Sequence, residues 1–363
     1  MKVRGRMNIR KRALLLLLLP LILSASSVRA FAQDAESIPS TVVEDGVGIS
    51  SRIWELLFGK RANAASESGE LIVGGDVFGA RIYRGYVSVS KDVEGTTLLS
   101  GDVIKSIDGK QIKRVSEISA ILGTGGEHTV TVTRSGRDIE CRIDSEEQAR
   151  RVISACCDGA AGIGTVTYID PADMTFGGLG HGICDESGAL FPLESGRVTG
   201  VILGGAEKGE KGDPGELVGV LTDRGYGEIY ANTPTGVFGQ LSDWSKDGAL
   251  SLPIAKREDV KQGTATIIST VKNGKKMSYT VELYDINTSE TGTKCFKVRV
   301  TDKALLSLTG GIVRGMSGSP IIQDGKLVGA VTHVMIADPT EGYGIFIENM
   351  LNAAQNQVQP KAA

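Results

Sequence analysis

The segment from Gly310 to His333 contains the residues best suited to covalent chemistry: a serine within GMSGSP (315–320), then a hairpin-like pattern that ends in a histidine. A serine hydroxyl is a nucleophile only where a base removes its proton and backbone N–H groups stabilise the oxyanion. The flanking glycines permit the required turn. The hexapeptide resembles the pattern G-x-S-G-x-P, which implies that the N–H groups of Ser317 and Gly315 point into one oxyanion hole. Taken alone, this hexapeptide is equally compatible with an ordinary glycine-rich turn.

The chain has only three histidines from which a base could come. His128 precedes a predicted strand and is expected at the surface. His181, in TFGGLGHGICD, lies upstream of Ser317, in the His-before-Ser order of chymotrypsin-like peptidases. His333 follows the serine at a strand end, where we expect it to line the substrate cleft or to be an ordinary core or rim residue. His181 is therefore the predicted base, with a turn histidine as the alternative.

A carboxylate that orients the base should lie between His181 and Ser317. The candidates are Asp185, Asp223, Asp243, Asp285 and Asp302. Asp302 follows the strand pattern KCFKVRV and precedes KALLSLTGG, so it could orient the histidine from a strand end. An aspartate before a short helical segment is also an ordinary N-cap, and the residues alone leave both roles open.

The five cysteines predict neither a disulfide framework nor a zinc site, because their number is odd and no CxxC spacing occurs. Cys184, three residues after His181, could serve as a thiol nucleophile, but a small core residue is the favoured interpretation. No cluster of His, Asp or Glu has metal-ligand spacing. The sequence therefore predicts no cofactor and no metal.

Composition favours a mainly β protein without a nucleic-acid partner. The net charge is −3, from 40 basic and 43 acidic residues, which gives no basic surface for nucleic acid. The 48 glycines and the 5% aromatic content are typical of many short strands joined by tight turns.

The N-terminus has the pattern of an export signal. Six basic residues precede an apolar run from Ala13 to Ala25, and Ala30-Phe31-Ala32 fits the small-x-small cleavage pattern. Residues 1–32 are therefore predicted to be a signal peptide, cleaved after Ala32, or an N-terminal membrane anchor. Residues 33–68 are predicted to be a linker that is accessible to self-processing, and the remaining chain is expected outside the cytoplasm.

Residues 69–146 resemble a PDZ domain. Gly101, Asp102, Ile104, Ile107 and Gly109 fit the GD-I--I-G pattern of bacterial PDZ domains attached to proteases. The resemblance implies peptide binding by strand addition, with a carboxylate-binding loop at Phe78, Gly79 and Ala80. The alternative is a small β-domain in which these residues only shape a turn.

Residues 150–355 have many short strand patterns, including a hairpin around Asn273-Gly274 and the alternating segment KCFKVRV. This spacing favours a barrel or sandwich pair over βαβ units. With the serine and histidine motifs, it predicts a chymotrypsin-like double β-barrel peptidase domain. The charged segment EKGEKGDPGE (207–216) is predicted to be a mobile surface loop.

Together FGGLGHGICD, the KGDPGELVG loop, the block from TDKALL through GMSGSP to IENML and the PDZ-like region resemble the SpoIVB peptidase family. These are the stage IV sporulation serine peptidases of endospore-forming bacteria, and the resemblance spans Leu71 to Leu351. It implies that Ser317 is the nucleophile, His181 the base and Asp302 the acid.

The resemblance also implies a role in the cell. Members of this family are exported into the space between the two membranes around the forespore, and they cleave themselves near the N-terminus. They also cut a partner of an intramembrane protease complex, which triggers sigma-K activation in the mother cell. The expected partners are therefore a protein regulator and the chain's own N-terminal region, with membrane association through the N-terminal segment. The alternative function is a catalytically inactive, PDZ-containing peptide-binding scaffold of the cell envelope.

Overall fold

A computed structural model describes residues 69–244 and 248–358 of the 363-residue chain. The predicted signal peptide or anchor (1–32) and linker (33–68) lie outside the described residues. Within the described ranges, no helix combines the length and apolar character needed to cross a bilayer.

Strands dominate the described residues, which confirms the mainly β prediction. The strands are β1 (Glu70–Val73), β2 (Val77–Val89), β3 (Val103–Ile107), β4 (Lys110–Gln111), β5 (His128–Arg134), β6 (Arg137–Ile143), β7 (Cys156–Ile169), β8 (Thr175–Gly178), β9 (Ser195–Glu207), β10 (Glu216–Thr233), β11 (Gly236–Leu241), β12 (Ser251–Pro253), β13 (Gly263–Lys272), β14 (Lys275–Tyr284), β15 (Phe296–Val300), β16 (Pro320–Gln323), β17 (Lys326–Met335) and β18 (Asp338–Phe346). The helices are α1 (Val115–Leu122), α2 (Glu146–Ala155), α3 (Lys303–Thr309) and α4 (Ile347–Val358), with a 3-10 turn at Arg257–Asp259.

The first barrel is a closed ring of six antiparallel strands. Its order is β7-β8-β11-β10-β9-β2, and β2 closes the ring by pairing with β7. Closure leaves no free strand edge within the ring. Its core includes Phe78, Val166, Phe176 and Val237, and the rings of Phe78 and Phe176 meet edge to face, with centroids 5.6 Å apart.

The second barrel is also closed, in the order β13-β14-β15-β18-β17-β16. The predicted turn at Asn273-Gly274 joins β13 to β14, and both turn residues have positive φ, as a type I′ turn requires. Asp324-Gly325 joins β16 to β17 in the same way. Phe296, Val298 and Val300 of KCFKVRV are all buried in this barrel, as their alternation predicts.

A small α/β module is inserted between β2 and β7. It has its own core, to which residues from Val87 to Ala155 contribute, and it contains β3 to β6, α1 and α2. The predicted helical segment SEISAILG forms α1. Asp102 of the GD-I--I-G pattern is fully buried and accepts hydrogen bonds from the Arg134 guanidinium and the Leu99 N–H. That this module is a PDZ domain stays a prediction.

The predicted carboxylate-binding loop is wrong. Phe78, Gly79 and Ala80 lie in β2 of the first barrel, paired with β7 on one side; Gly79 and Ala80 also pair with β9 on the other. The side chains of Phe78 and Ala80 are buried in the barrel core. Gly79 and Ala80 are already paired on both edges of the strand, so this segment cannot add a peptide strand.

The domain boundaries also differ from the predicted ranges of 69–146 and 150–355. Strand β1 pairs with β7 beside the first barrel, the first half of β2 belongs to that barrel, and β2 then continues into the inserted module. The chain returns to the barrel along β7, which begins at Cys156. Thus the structure places the module inside the peptidase fold rather than before it.

The segment predicted to be a mobile loop connects β9 to β10 and contacts the second barrel. The N–H of Gly209 donates to the Thr309 carbonyl, and that of Gly212 donates to the Ile336 carbonyl. The Gly215 carbonyl accepts the Arg314 N–H, three residues before Ser317. Most residues of the segment are exposed, as its charged composition predicts. These backbone contacts, which composition does not show, hold it against the second barrel.

Candidate active site

Ser317 lies in the turn that enters β16, the first strand of the β16–β17 hairpin. Gly315 and Gly318 on either side of it have φ values of +91° and +94°, a conformation that favours glycine. The Ser317 side chain is half-buried, and its hydroxyl donates to the Thr332 carbonyl of β17 at 2.7 Å. The predicted nucleophile therefore lies in a glycine-flanked turn, and its hydroxyl is hydrogen-bonded to a backbone oxygen.

The N–H groups of Gly315 and Ser317, predicted to form the oxyanion hole, donate to no described residue. In a trans peptide, the N–H points away from the carbonyl oxygen of the preceding residue. The Arg314 carbonyl accepts the Leu217 N–H from β10, and the Met316 carbonyl accepts the N–H and hydroxyl of Ser319. Both N–H groups therefore point away from these contacts, and that they form an oxyanion hole stays a prediction.

Thr165 of β7 holds the serine turn from the first barrel. Its N–H donates to the Ser317 carbonyl at 3.0 Å, and its hydroxyl donates to the Gly315 carbonyl at 2.9 Å. The hydroxyl of Thr167, two residues along the strand, donates to the Gly318 carbonyl at 2.8 Å. Both threonines are fully buried, so these bonds are shielded from competition with water.

The His181 loop is attached to the same point of β7. It follows β8 through Leu179 and Gly180, whose φ values are +65° and +66°, and the Leu179 N–H donates to the Thr165 carbonyl. A β-carbon at Gly180 would lie 2.9 Å from Cγ2 of Thr332, so glycine is needed for this close approach. Thr165 thus contacts both the histidine loop and the serine turn.

The His181 ring has the tautomer that a general base requires. Its Nδ1 lies 2.9 Å from the Gly182 carbonyl oxygen. Because a carbonyl oxygen only accepts, Nδ1 must donate, and in the neutral ring Nε2 then has the lone pair. Burial lowers the pKa of His181 below its usual 6.5, so the ring is neutral at pH 7.

His333 lies directly against His181, with ring centroids 4.9 Å apart and planes tilted by 35°. Burial, with the neighbouring His181 and Lys294, lowers the pKa of His333 to about 4. Both rings line one cavity of about 320 Å³. The other lining residues are Gly182, Cys184, Gly188, Leu190, Pro234 and Thr293.

The structure does not bring Asp302 to this pair. Its carboxylate caps α3 and accepts the N–H groups of Ala304 and Leu305 at 2.8 and 3.0 Å. The Leu305 N–H in particular lowers the pKa of Asp302. The prediction that Asp302 orients His181 thus gains no support from the structure, and its alternative role as an N-cap is the one observed.

The cysteines and His128 are the remaining residues that the sequence offered as candidates for chemistry. All five cysteines are free. Burial raises the pKa of Cys295 to about 11 and that of Cys156 to about 12, so both are protonated thiols at neutral pH. Cys184 is exposed at the cavity, so its interpretation as a core residue is wrong. His128 pairs with Asp108 at 2.7 Å in the inserted module, distant in sequence from the serine turn.

A comparison with protein-family models identifies the family of this chain. The model described as SpoIVB peptidase S55 matches residues 153–351. The chain belongs to this family. It is a serine peptidase, as the motifs around His181 and Ser317 predict.

Comparison with solved structures returns weak matches to a mycobacterial protease. The Rv3671c protease of M. tuberculosis in its active form is 14% identical, with a TM-score of 0.33 over 56% of this chain and 77% of that chain. An inactive-form mutant of Rv3671c from M. tuberculosis H37Rv is 13% identical, with a TM-score of 0.33 over 55% of this chain and 84% of that one. No curated protein sequence matches the chain.

The residues of this SpoIVB-family peptidase that sequence reasoning missed are Thr165 and Thr167. They alternate with apolar residues in the strand pattern TVTYID, so they share one face of β7. Two threonines on a face that the barrel buries need hydrogen-bond acceptors. The alternation of the two threonines is visible in the sequence. The carbonyl groups that accept their hydrogen bonds lie about 150 residues further along the chain and cannot be recognised from it.

Proposed function

We propose that this SpoIVB-family serine peptidase is an exported sporulation endopeptidase. Its proposed substrates are its own N-terminal region and a membrane-bound regulatory partner of an intramembrane protease complex. Cleavage of that partner would pass the sigma-K signal from the forespore to the mother cell. Membership of the family and the export-signal pattern of residues 1–32 support this proposal.

One observation carries the catalytic part of the proposal: Thr165 holds the His181 loop and the Ser317 turn together. Its carbonyl accepts the N–H of Leu179, and its N–H and hydroxyl bind the carbonyls of Ser317 and Gly315. A base and a nucleophile from two loops would thus be kept in register by one buried residue. The two six-stranded rings support a chymotrypsin-like arrangement, with this contact between them.

The proposed reaction is acyl transfer. The Ser317 hydroxyl turns from the Thr332 carbonyl towards His181, whose Nε2 accepts its proton as Oγ attacks the peptide carbonyl. The N–H groups of Gly315 and Ser317 stabilise the oxyanion. The His181 imidazolium then gives the proton to the leaving amine. A water molecule, activated by the same histidine, releases the acyl group from Ser317.

We propose that the peptidase domain lies in the space between the two forespore membranes. It would be released there by cleavage after Ala32, or held there by an uncleaved N-terminal anchor. Sequencing the N-terminus of the mature protein from sporulating cells tests this. A start at Gln33, or within residues 33–68 after self-processing, supports export and processing. An intact Met1 in a membrane fraction identifies the anchored form, and an intact soluble cytoplasmic form would contradict the proposal.

The inserted module is proposed to recognise the substrate or the chain's own N-terminal region. At the end of β2 that lies in the module, both edges of the strand are already paired. Val87 pairs with Ile104 on β3, and Ser88 pairs with Cys157 on β7. Strand β6 ends the strand order of the described sheet and has one edge for an added peptide. The module would therefore bind a peptide elsewhere than at Phe78–Ala80.

The decisive experiment compares Ser317→Ala with the wild type in self-processing, peptide hydrolysis and labelling by a fluorophosphonate. We expect loss of all three. Ser289→Ala, at an exposed serine on the second barrel, is the matched control and should behave as the wild type. Retained hydrolysis in Ser317→Ala would refute the assignment. A wild type that binds the regulatory partner but neither hydrolyses nor labels would instead indicate the inactive scaffold.

A further inference from the structure

We propose that the cavity beside His181 is a substrate pocket that selects one uncharged, apolar side chain within two residues of the bond that is cleaved. Leu190, an apolar residue of the cavity wall, is the residue that sets this choice. The proposal rests on the proposed roles of His181 and Ser317, because a pocket beside the base acts on specificity only if that histidine works on the substrate.

Both barrels contribute to the wall of this cavity. The first barrel provides His181 and Pro234, which lies in the turn between β10 and β11, and the second provides Thr293, before β15, and His333 of β17. The residue next to His333 on β17 accepts the hydrogen bond of the Ser317 hydroxyl at 2.7 Å. The volume of about 320 Å³ is at the lower end of the range of about 300–1,000 Å³ for ligand pockets, which suits a single side chain.

A small hairpin that follows the base forms part of the wall. Cys184 and Leu190 pair across it, and the Phe191 N–H donates to the Ile183 carbonyl at 2.9 Å. Asn232 of β10 holds both arms, because its amide nitrogen donates to the carbonyls of Ile183 and Phe191, and its amide oxygen accepts the Ile183 N–H. All three of these bonds are 2.9 Å long. The position of the hairpin is therefore fixed by a strand of the barrel.

Leu190 packs as close to the base as the backbone allows. A β-carbon at Gly182, the residue after His181, would collide with Cδ1 of Leu190 and with the Thr233 carbonyl oxygen. Leu190 is nevertheless 38% exposed, since its other side faces the open cavity. A substrate side chain in the cavity would cover this apolar surface, and removal of apolar surface from water favours binding.

The charges around the cavity exclude a charged side chain. Among the described residues, those that line the cavity include no Asp, Glu, Lys or Arg. Burial lowers the pKa of His181, and burial with the neighbouring His181 and Lys294 lowers the pKa of His333 to about 4, so both rings are neutral at pH 7. The Lys294 ammonium lies 5.0 Å from the centroid of the Tyr343 ring, outside the cavity wall. A charged side chain would thus lose water without gaining an ionic partner.

Three substitutions at Leu190 in the full-length protein test the proposal. A peptide library in which each position around one cleaved bond is varied in turn gives the selectivity. The wild type should prefer apolar to charged side chains by about tenfold or more at one position within two residues of the cut. Leu190→Trp, which fills the cavity, should move that preference to smaller side chains, and Leu190→Ala to larger ones. Leu190→Lys should admit Asp or Glu at the same position.

The exposed thiol of Cys184 gives a second test, because N-ethylmaleimide attached there would fill the cavity. The reagent should lower hydrolysis by the wild type by about tenfold or more and change hydrolysis by Cys184→Ser by less than about twofold. Mass spectrometry measures the extent of alkylation. Hydrolysis that survives complete alkylation of Cys184 would show that the substrate does not occupy the cavity, and would overturn the inference.

Leu250→Ala and Leu250→Lys are the matched controls, since Leu250 is an exposed leucine that does not line the cavity. Both should keep the selectivity of the wild type. Wild-type selectivity in all three Leu190 variants, or an equal loss of rate for every peptide, would overturn the inference, while an inactive Ser317→Ala would leave the proposed function standing. Turnover in Ser317→Ala, or a wild type without hydrolysis, would overturn both.

Discussion

Thr165→Val removes one hydroxyl from the residue that joins the His181 loop to the Ser317 turn. Valine has nearly the shape of threonine, so the packing of this buried position is kept. The backbone bonds from Thr165 to Ser317 and Leu179 are also kept. What is lost is the 2.9 Å bond to the Gly315 carbonyl, which fixes the peptide unit next to the Gly315 N–H, a proposed oxyanion-hole donor.

The size of the effect follows from that single bond. Leaving a partly buried carbonyl without its partner costs about 1–2 kcal/mol. If that cost falls on the transition state, where Gly315 must hold the oxyanion, it corresponds to about a 5- to 30-fold loss of rate. We expect kcat to fall by about tenfold with KM nearly unchanged, since the cavity wall is not altered.

Steady-state hydrolysis of one peptide, with fluorophosphonate labelling as a substrate-independent check, measures this loss. Thr167→Val is the matched control: it removes an equally buried hydroxyl from the same strand, but its acceptor is the Gly318 carbonyl, beyond the oxyanion turn. It should lower stability to a similar extent with a smaller effect on kcat. Equal kcat losses in the two variants, or an unchanged kcat in Thr165→Val, would refute the reasoning about Gly315.

Three further outcomes are expected. The acidic limb of kcat/KM should lie below pH 6.5, because burial lowers the pKa of His181, the proposed base, and activity is lost only as pH falls through that pKa. A limb at or above pH 6.5 argues against His181 as the base. The folded-state pKa of His333, about 4, lies below the unfolded value of 6.5, so the unfolded chain binds the proton first as pH falls. Urea titrations should therefore show stability falling from pH 6.5 to pH 4, by on the order of 1 kcal/mol because solvent screens this partly exposed ring, and by less in His333→Phe. Asp102→Ala removes the buried partner of Arg134 and should speed hydrogen exchange across residues 87–155, whereas Lys105→Met at an exposed pair should not.

Local patterns predicted the parts of the fold that depend on neighbouring residues. Positive φ at Asn273-Gly274 and Asp324-Gly325 follows from residue type, and the buried face of KCFKVRV follows from alternation. The serine turn and the His181 loop were found because glycines mark sharp backbone turns. The family match over residues 153–351 agrees with those motifs.

What the sequence could not predict depends on pairing between distant strands. Phe78–Ala80 has a glycine-centred pattern that suits a loop equally well, and only the pairing of β2 with β7 and β9 makes it a barrel strand. Asp302 precedes a helix and follows a strand, a position that suits an acid or a cap, and its hydrogen bonds decide between them. The contact between His181 and His333 joins residues 152 positions apart, beyond the reach of any local pattern.

The ladder between β2 and β7 explains why a module can be inserted next to the catalytic loops. Antiparallel pairs run without interruption from Tyr83–Gly159, beside the insertion, to Val77–Thr165, beside the serine turn. The irregularity in this ladder falls beyond Tyr83, on the module side. Barrel closure and the position of Thr165 are therefore set by pairs within the barrel, while the inserted residues extend from the far end of the same two strands. A domain boundary drawn along the sequence cuts through β2, because one strand serves both units.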